Sequence, residues 1–210
     1  MNEFSDINYF YPNKMGRVVL LSMQEVLSNV GLNAVLNLAG LHHRINHFPP
    51  NDLERAYGFD ELGQMMATLE SLYGPRGGRG LALRAGRACF KYGLREFGPL
   101  VGSTDIAFRL LPLESKLRMG AKLFTDVFNK FSDQLVRVEE NDSQFLWHIE
   151  RCPVCSGRHA DAPICHLAVG VLQEAMYWVS SGKYFNIEEV SCIAKGDPAC
   201  TILIEKQVIE

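Results

Sequence analysis

The stretch "CPVCSGRHADAPICHLAVG", Cys152 to Gly170, places three cysteines and two histidines within fifteen residues, and two more cysteines follow in "EEVSCIAKGDPAC". Thiolate and imidazole are the side chains that hold tetrahedral zinc. Cys152 and Cys155 form a C-x-x-C pair in the loop that leaves a strand. Cys165 falls in the first turn of a helix, where the helix dipole favours a thiolate. Cys192 and Cys200 flank the turn "AKGDP", which can fold one back beside the other. If turn and helix start converge, three or more soft ligands meet, and a carboxylate or an imidazole completes a set of three thiolates. Glu189, three residues before Cys192, is a candidate for the fourth ligand, with Cys152, Cys155, His159 and His166 as alternatives. Strict strand alternation sends residues 189 and 192 to opposite faces, so Glu189 needs a bulge or a strand end between them.

Other readings of the same residues are weaker. Cys89, between Ala88 and Phe90 in a helical stretch, reads as a small buried apolar residue. A thioredoxin-type redox pair wants a helix opening at the second cysteine of C-x-x-C within a βαβ unit, and neither surrounds Cys155. The loop "GPRGGRG" suggests phosphate binding but lacks the fingerprint: Leu83 stands where a third glycine belongs after Gly78 and Gly80, and no Gly-Lys-Ser/Thr follows. It reads as a flexible loop with Arg76 and Arg79 near a helix start.

These residues sit in a chain of 210, with 47% apolar and 21% charged residues and a formal net charge of −3. Such a chain can bury a real core. Without a basic stripe, nucleic acid is not an expected partner. The start "MNEFSDINYF" is acidic and lacks the pattern of a secretory signal. The uncharged run Val26 to His43 carries Ser28, Asn29, Asn33 and Asn37, which argue against a membrane span. A cytoplasmic location is expected, and there thiols stay reduced, which favours metal over disulfide.

The elements that must position the site follow from periodicity. Helices are expected over Met15–Val30, Leu32–Leu41, Phe59–Tyr73, Leu81–Phe97, Leu113–Phe131 and Pro163–Ser180, with Gly31 and "GPRGGRG" as interruptions. One face of the Leu81–Phe97 helix carries Gly86, Phe90, Gly93 and Phe97, which suits close helix packing or the approach of a flat ligand. "QLVRVEE" and "SQFLWHIER" around "END" form a β-hairpin, and two further strands, Tyr184–Ala194 and Ala199–Gln207, join through "KGDP". The fold class is therefore α+β: a helical part over 1–133, and over 134–210 an antiparallel sheet of two hairpins flanking a helix.

The order of these residues resembles the 4-vinyl reductase domain, in which a cysteine opens a helix with a glycine five residues on, Glu-x-x-Cys follows, and a last cysteine comes after a glycine-containing turn. Here these are Cys165, Gly170, Glu189, Cys192, Gly196 and Cys200, within a match from about Val136 to Glu205. The resemblance implies a ligand-binding fold similar to nitric-oxide-signalling and vesicle-tethering domains, with helices and sheet enclosing an apolar pocket. It implies zinc on Cys165, Glu189, Cys192 and Cys200, as in the phenol-sensor members of the family. The added pair Cys152/Cys155 looks more like stand-alone and pigment-biosynthesis members, and two such thiolates compete with Glu189.

The expectation is a zinc-stabilised binding module, sensor or carrier, for an apolar ring-containing molecule, an aromatic hydrocarbon or tetrapyrrole precursor. Expected pocket residues are Phe145, Trp147, Tyr177, Trp178, Phe90 and Phe97, with His148 donating an orienting hydrogen bond. The first alternative is an accessory protein or enzyme of tetrapyrrole biosynthesis, although neither a nicotinamide fingerprint nor an iron–sulfur array is present. The second is a protein adaptor without a small ligand. Analogy with the family suggests a homodimer through the N-terminal helices.

Overall fold

The computed structural model describes residues 8–101 and 110–209. Two short strands, β1 (Phe10–Pro12) and β2 (Arg55–Gly58), pair antiparallel and bracket the first helix, α1 (Asn13–Leu38). The apolar face of α1 buries Val18, Val19, Leu20 and Met23. An interruption was expected at Gly31, but it lies at Ser28, with φ 66° and ψ 170°. The Ser28 hydroxyl accepts the Gly31 N–H at 3.5 Å, so serine restarts the helix as a side-chain cap, a role glycine cannot fill. By length and hydropathy α1 could cross a membrane. It is bent at Ser28, and Leu20, Met23, Leu32, Val35 and Leu36 are fully buried in the core.

Helix α2 (Phe59–Val101) corrects a second expectation. The loop read over "GPRGGRG" shrinks to Gly74, with φ 71° and ψ 168°, and the helix resumes at Pro75. Proline fits the first position of a helix, where its missing N–H costs nothing. Gly78 stays helical because the chain doubles back on itself: a Cβ there would lie 2.7 Å from Glu70 Cα. Helix α3 (Leu113–Phe131) follows, close to its expected bounds.

Strands β3 (Val136–Glu140), β4 (Gln144–Ile149), β5 (Tyr184–Ser191) and β6 (Cys200–Ile209) form one antiparallel sheet in the order β3-β4-β6-β5. The register pairs Phe145 with Ile204, Trp147 with Ile202 and Ile149 with Cys200, so these side chains share the buried face. Helix α4 (His166–Val179) connects the hairpins. It starts three residues later than expected, with Cys165 rather than a residue before Pro163 at its N-cap.

Helices α2 and α4 cross at two glycines. A Cβ on Gly86 would stand 2.1 Å from the Leu167 carbonyl oxygen, and one on Gly170 would stand 2.2 Å from that of Leu83. The glycine face of α2 therefore serves both purposes read from it. Gly86 packs backbone to backbone, while Phe90, Gly93 and Phe97 face the interior space described below.

Candidate functional site

Five cysteines from three segments meet in the core, none of them bridged. Cys165 Sγ lies 3.8 Å from Cys192 Sγ and 3.6 Å from Cys200 Sγ, and Cys192 and Cys200 are 3.8 Å apart. Tetrahedral zinc with Zn–S bonds of about 2.3 Å sets its sulfurs about 3.8 Å apart, so this triangle fits one face of such a site. Cys152 Sγ stands 3.5 Å from Cys165 Sγ, and Cys155 Sγ stands 3.4 Å from Cys200 Sγ. A disulfide would need about 2.0 Å.

Local structure explains the convergence. The C-x-x-C loop is drawn onto α2 where Gly63 leaves room; a Cβ there would lie 2.1 Å from the Ser156 carbonyl oxygen. Cys165 occupies the N-cap position of α4. After Ser191 the chain turns through a 3-10 segment, Ile193–Lys195, and a left-handed Gly196 at φ 97°. The expected strand over Tyr184–Ala194 therefore ends early, and Cys192 comes back beside Cys200. Asp197 fixes the turn by accepting the Cys192 N–H at 2.7 Å. Glu189 reaches the cluster through the irregularity anticipated for it: the β5–β6 register shifts between Glu189 and Ser191. Its Oε2 accepts the Cys165 N–H at 2.6 Å, and its Oε1 is buried without a partner.

The electrostatics suit a cation. Burial, with the nearby Cys192 sulfur, pushes the Glu189 carboxyl up to about 8. Hydrogen bonds from the surrounding sulfurs hold Cys155 far below the ordinary thiol range, whereas the same sharing pushes Cys165 and Cys200 upward. A positive ion would relieve this competition for protons. Two four-residue sets can hold one: Cys152, Cys155, Cys165 and Cys200, or Cys165, Glu189, Cys192 and Cys200. His159 and His166 join neither set. His159 is exposed and His166 half-buried. Cys89 also stands apart as a buried thiol, pushed up to about 12 by burial.

Beside the cluster lies a cavity of about 190 Å³. Its walls come from α1, α2, α3, α4 and the sheet. Phe90, Phe97, Phe145, Trp147 and Trp178, all expected there, line it, with Phe124, Phe128 and Ala168. Phe124 sits against Phe90 and Trp147, with ring centroids 5.8 Å and 5.5 Å away. Cys152, Pro153 and Val154 close one end, so the sulfur-bearing loop is also a wall.

Two expected pocket residues are elsewhere. His148 alternates with Trp147 along β4 and points to the other face of the sheet, where its Nδ1 is 3.0 Å from Thr201 Oγ1. Tyr177 turns outward on α4, 37% exposed, against Tyr184. The polar pair that does line the cavity is Tyr11 and Gln134, the tyrosine O–H donating to the amide oxygen. Burial holds the Tyr11 hydroxyl protonated, far above its ordinary range. The two partners are 123 residues apart, and no local signal in the sequence joins them.

Residues 147–206 match the model of the 4-vinyl reductase (V-4-R) domain, so the chain carries the domain that its cysteine order resembles. Among solved structures, the chain is similar to an Fe(II) unliganded H-NOX protein from K. algicida, at 12% identity and TM-score 0.58, covering 93% of this chain and 97% of that one. It is also similar to an H-NOX protein from S. oneidensis in the Fe(II)NO ligation state, at 12% identity and TM-score 0.55, covering 92% and 99%. The phenol-responsive sensory domain of the transcription activator PoxR aligns at 20% identity over 69% of this chain and 73% of that one, with a TM-score of 0.44. No curated protein matches the chain. The fold is thus a mixed helix and antiparallel-sheet architecture shared with H-NOX proteins.

Proposed function

We propose that the protein is a metal-stabilised binding module for a small apolar molecule of one or two aromatic rings, acting as a sensor or carrier. One observation carries this reading: the cavity of about 190 Å³, walled by aromatic rings and carrying one buried polar pair. An apolar protein cavity of roughly 150 Å³ takes up benzene, so the space is of the right order for one ring or two small ones. Tyr11 and Gln134 would orient a ligand hydroxyl, the part expected of His148. Zinc is the metal that a buried sulfur-rich set favours. As the sulfurs are unbridged, a reducing cytoplasm belongs to the same reading.

A tetrapyrrole fits less well. A four-ring macrocycle exceeds this space, and among the described lining residues no histidine offers an axial ligand. Cys89 lines the cavity but is held as a thiol by burial. Dimerisation through the N-terminal helices is part of the proposal. Val30 and Leu38, 80% and 61% exposed on α1, are apolar side chains that a second copy would cover. One chain per particle by light scattering at micromolar concentration refutes it.

Both tryptophans of the chain, Trp147 and Trp178, line the cavity. Titration with phenol, toluene or naphthalene should therefore shift or quench the intrinsic fluorescence saturably. No response to any of the three, with a shifted Soret band on adding a porphyrin, would move the function to tetrapyrrole handling.

A further inference from the structure

We infer that the cysteine cluster is a binuclear centre in which Cys165 and Cys200 bridge two divalent ions. The inference rests on reading the cluster as a metal site. The two four-ligand sets share Cys165 and Cys200 and together use all five clustered cysteines and Glu189. Placed side by side they are two tetrahedra with a common edge, the 3.6 Å separation of the Cys165 and Cys200 sulfurs. Cys152 and Cys155 belong to one ion alone, Glu189 and Cys192 to the other.

A single ion leaves part of this construction without a role. On the all-sulfur set it strands Cys192, and it leaves Glu189 Oε1 buried without a partner. On the set with Glu189 it strands Cys152 and Cys155, fixed 3.5 Å and 3.4 Å from sulfurs that carry the metal. Unpaired buried charge is costly. Five thiolates and a carboxylate leave a net charge of roughly −4 around one divalent ion but only roughly −2 around two. The remainder faces donors already present: the Ile193 N–H, 3.3 Å from Cys200 Sγ, and the N-terminus of α4 at Cys165. Thiolate is the ligand suited to this arrangement, since a sulfur with several lone pairs can bind two soft ions.

The test is metal stoichiometry on the full chain, purified under reducing conditions with zinc. Elemental analysis and native mass spectrometry should give two ions per chain. Cys155→Ser and Cys192→Ser, each touching a ligand private to one ion, should each retain one, whereas Cys89→Ser should retain two. After exchange with 113Cd, two resonances split by mutual coupling are expected, because only a shared sulfur transmits that coupling. With bonds of about 2.3 Å to two sulfurs 3.6 Å apart, the zinc ions should lie about 2.9 Å from each other, a vector X-ray absorption detects. One ion per chain overturns the bridged centre but leaves a metal-stabilised module standing. No ion, or disulfides among these cysteines in the reduced preparation, overturns both. Two uncoupled cadmium signals without the short vector overturn the bridging.

Discussion

Gly93→Leu separates a real cavity from an imperfectly filled core. Gly93 lies in α2 and lines the space, and a Cβ there would meet no atom within 4 Å. Replacing glycine inside a helix by a good helix former is worth about 0.8–1 kcal/mol. Each buried CH2 adds about 0.8 kcal/mol, so a leucine lying wholly in the cavity adds up to about 3 more. The variant should therefore be more stable by roughly 1–4 kcal/mol, and each of those kcal/mol raises Tm by about 2–4 °C in a chain of this size. The same four carbons take up space that a six-carbon ring needs. Toluene affinity, read from tryptophan fluorescence, should fall at least about tenfold. Ala168→Phe, entering from α4, should block uptake from the opposite wall. A Gly93→Leu protein that melts lower than the parent would show that the space is not there. One that melts higher and binds toluene as before would show that the ligand goes elsewhere.

Three further outcomes follow from particular contacts. Tyr11→Phe removes the hydroxyl paired with Gln134; phenol affinity should drop roughly tenfold while toluene affinity holds, and an equal drop for both would remove the pair from ligand recognition. Gly170→Ala drives a methyl to 2.2 Å from the Leu83 carbonyl oxygen, so denaturant unfolding should show a loss of about 3 kcal/mol or more, and a loss under about 1 kcal/mol would contradict the crossing geometry. Glu61 is pushed up by burial but pulled further down by its two hydrogen bonds from Arg44, at 2.7 Å and 2.9 Å, so its net shift is downward. Its contribution to stability is present above the ordinary carboxyl value of about 4.3 and is lost as pH falls through its lower folded value. Glu61→Gln should flatten that acid limb of Tm against pH, and an unchanged slope would dismiss the pair.

What the sequence shows and hides follows from the range of each interaction. Helix stripes, the hairpin and the cysteine spacing are local, and they placed α3, the four-stranded sheet and the sulfur ligands. Strand parity was legible too: Trp147 and His148 are neighbours on β4 and cannot face the same side, so naming both as pocket residues contradicted the alternation. Tyr177 and Trp178 are separated by about 100° around α4 for the same reason. The glycine-rich loop was misread because propensity is a weak prior; Pro75 can begin a helix, and the close return past Glu70 rewards a glycine at 78. Nothing local predicts that a missing Cβ at Gly63 seats the C-x-x-C loop, or that Tyr11 meets Gln134. Those contacts exist only once the chain has folded over itself.

The sixteen residues between β4 and α4 contain neither helix nor strand, yet Cys152, Pro153 and Val154 within them form a wall of the cavity. Irregular segments of that length are uncommon in packed domains unless they bind something. Their order must come from contacts other than a hydrogen-bonded ladder. Here the Ala160 N–H bonds the Ala194 carbonyl at 3.0 Å, and the paired sulfurs tie both ends of the segment to the 192–200 turn. An ion on those sulfurs fixes the position of the wall, and a ring pressed against the wall favours the geometry that holds the ion. Linkage makes the effect mutual: whatever factor metal adds to ligand affinity, the ligand adds to metal affinity. A cluster that only stabilised the fold could sit anywhere in the core. One whose own loop closes the cavity ties occupancy of the pocket to occupancy of the metal site.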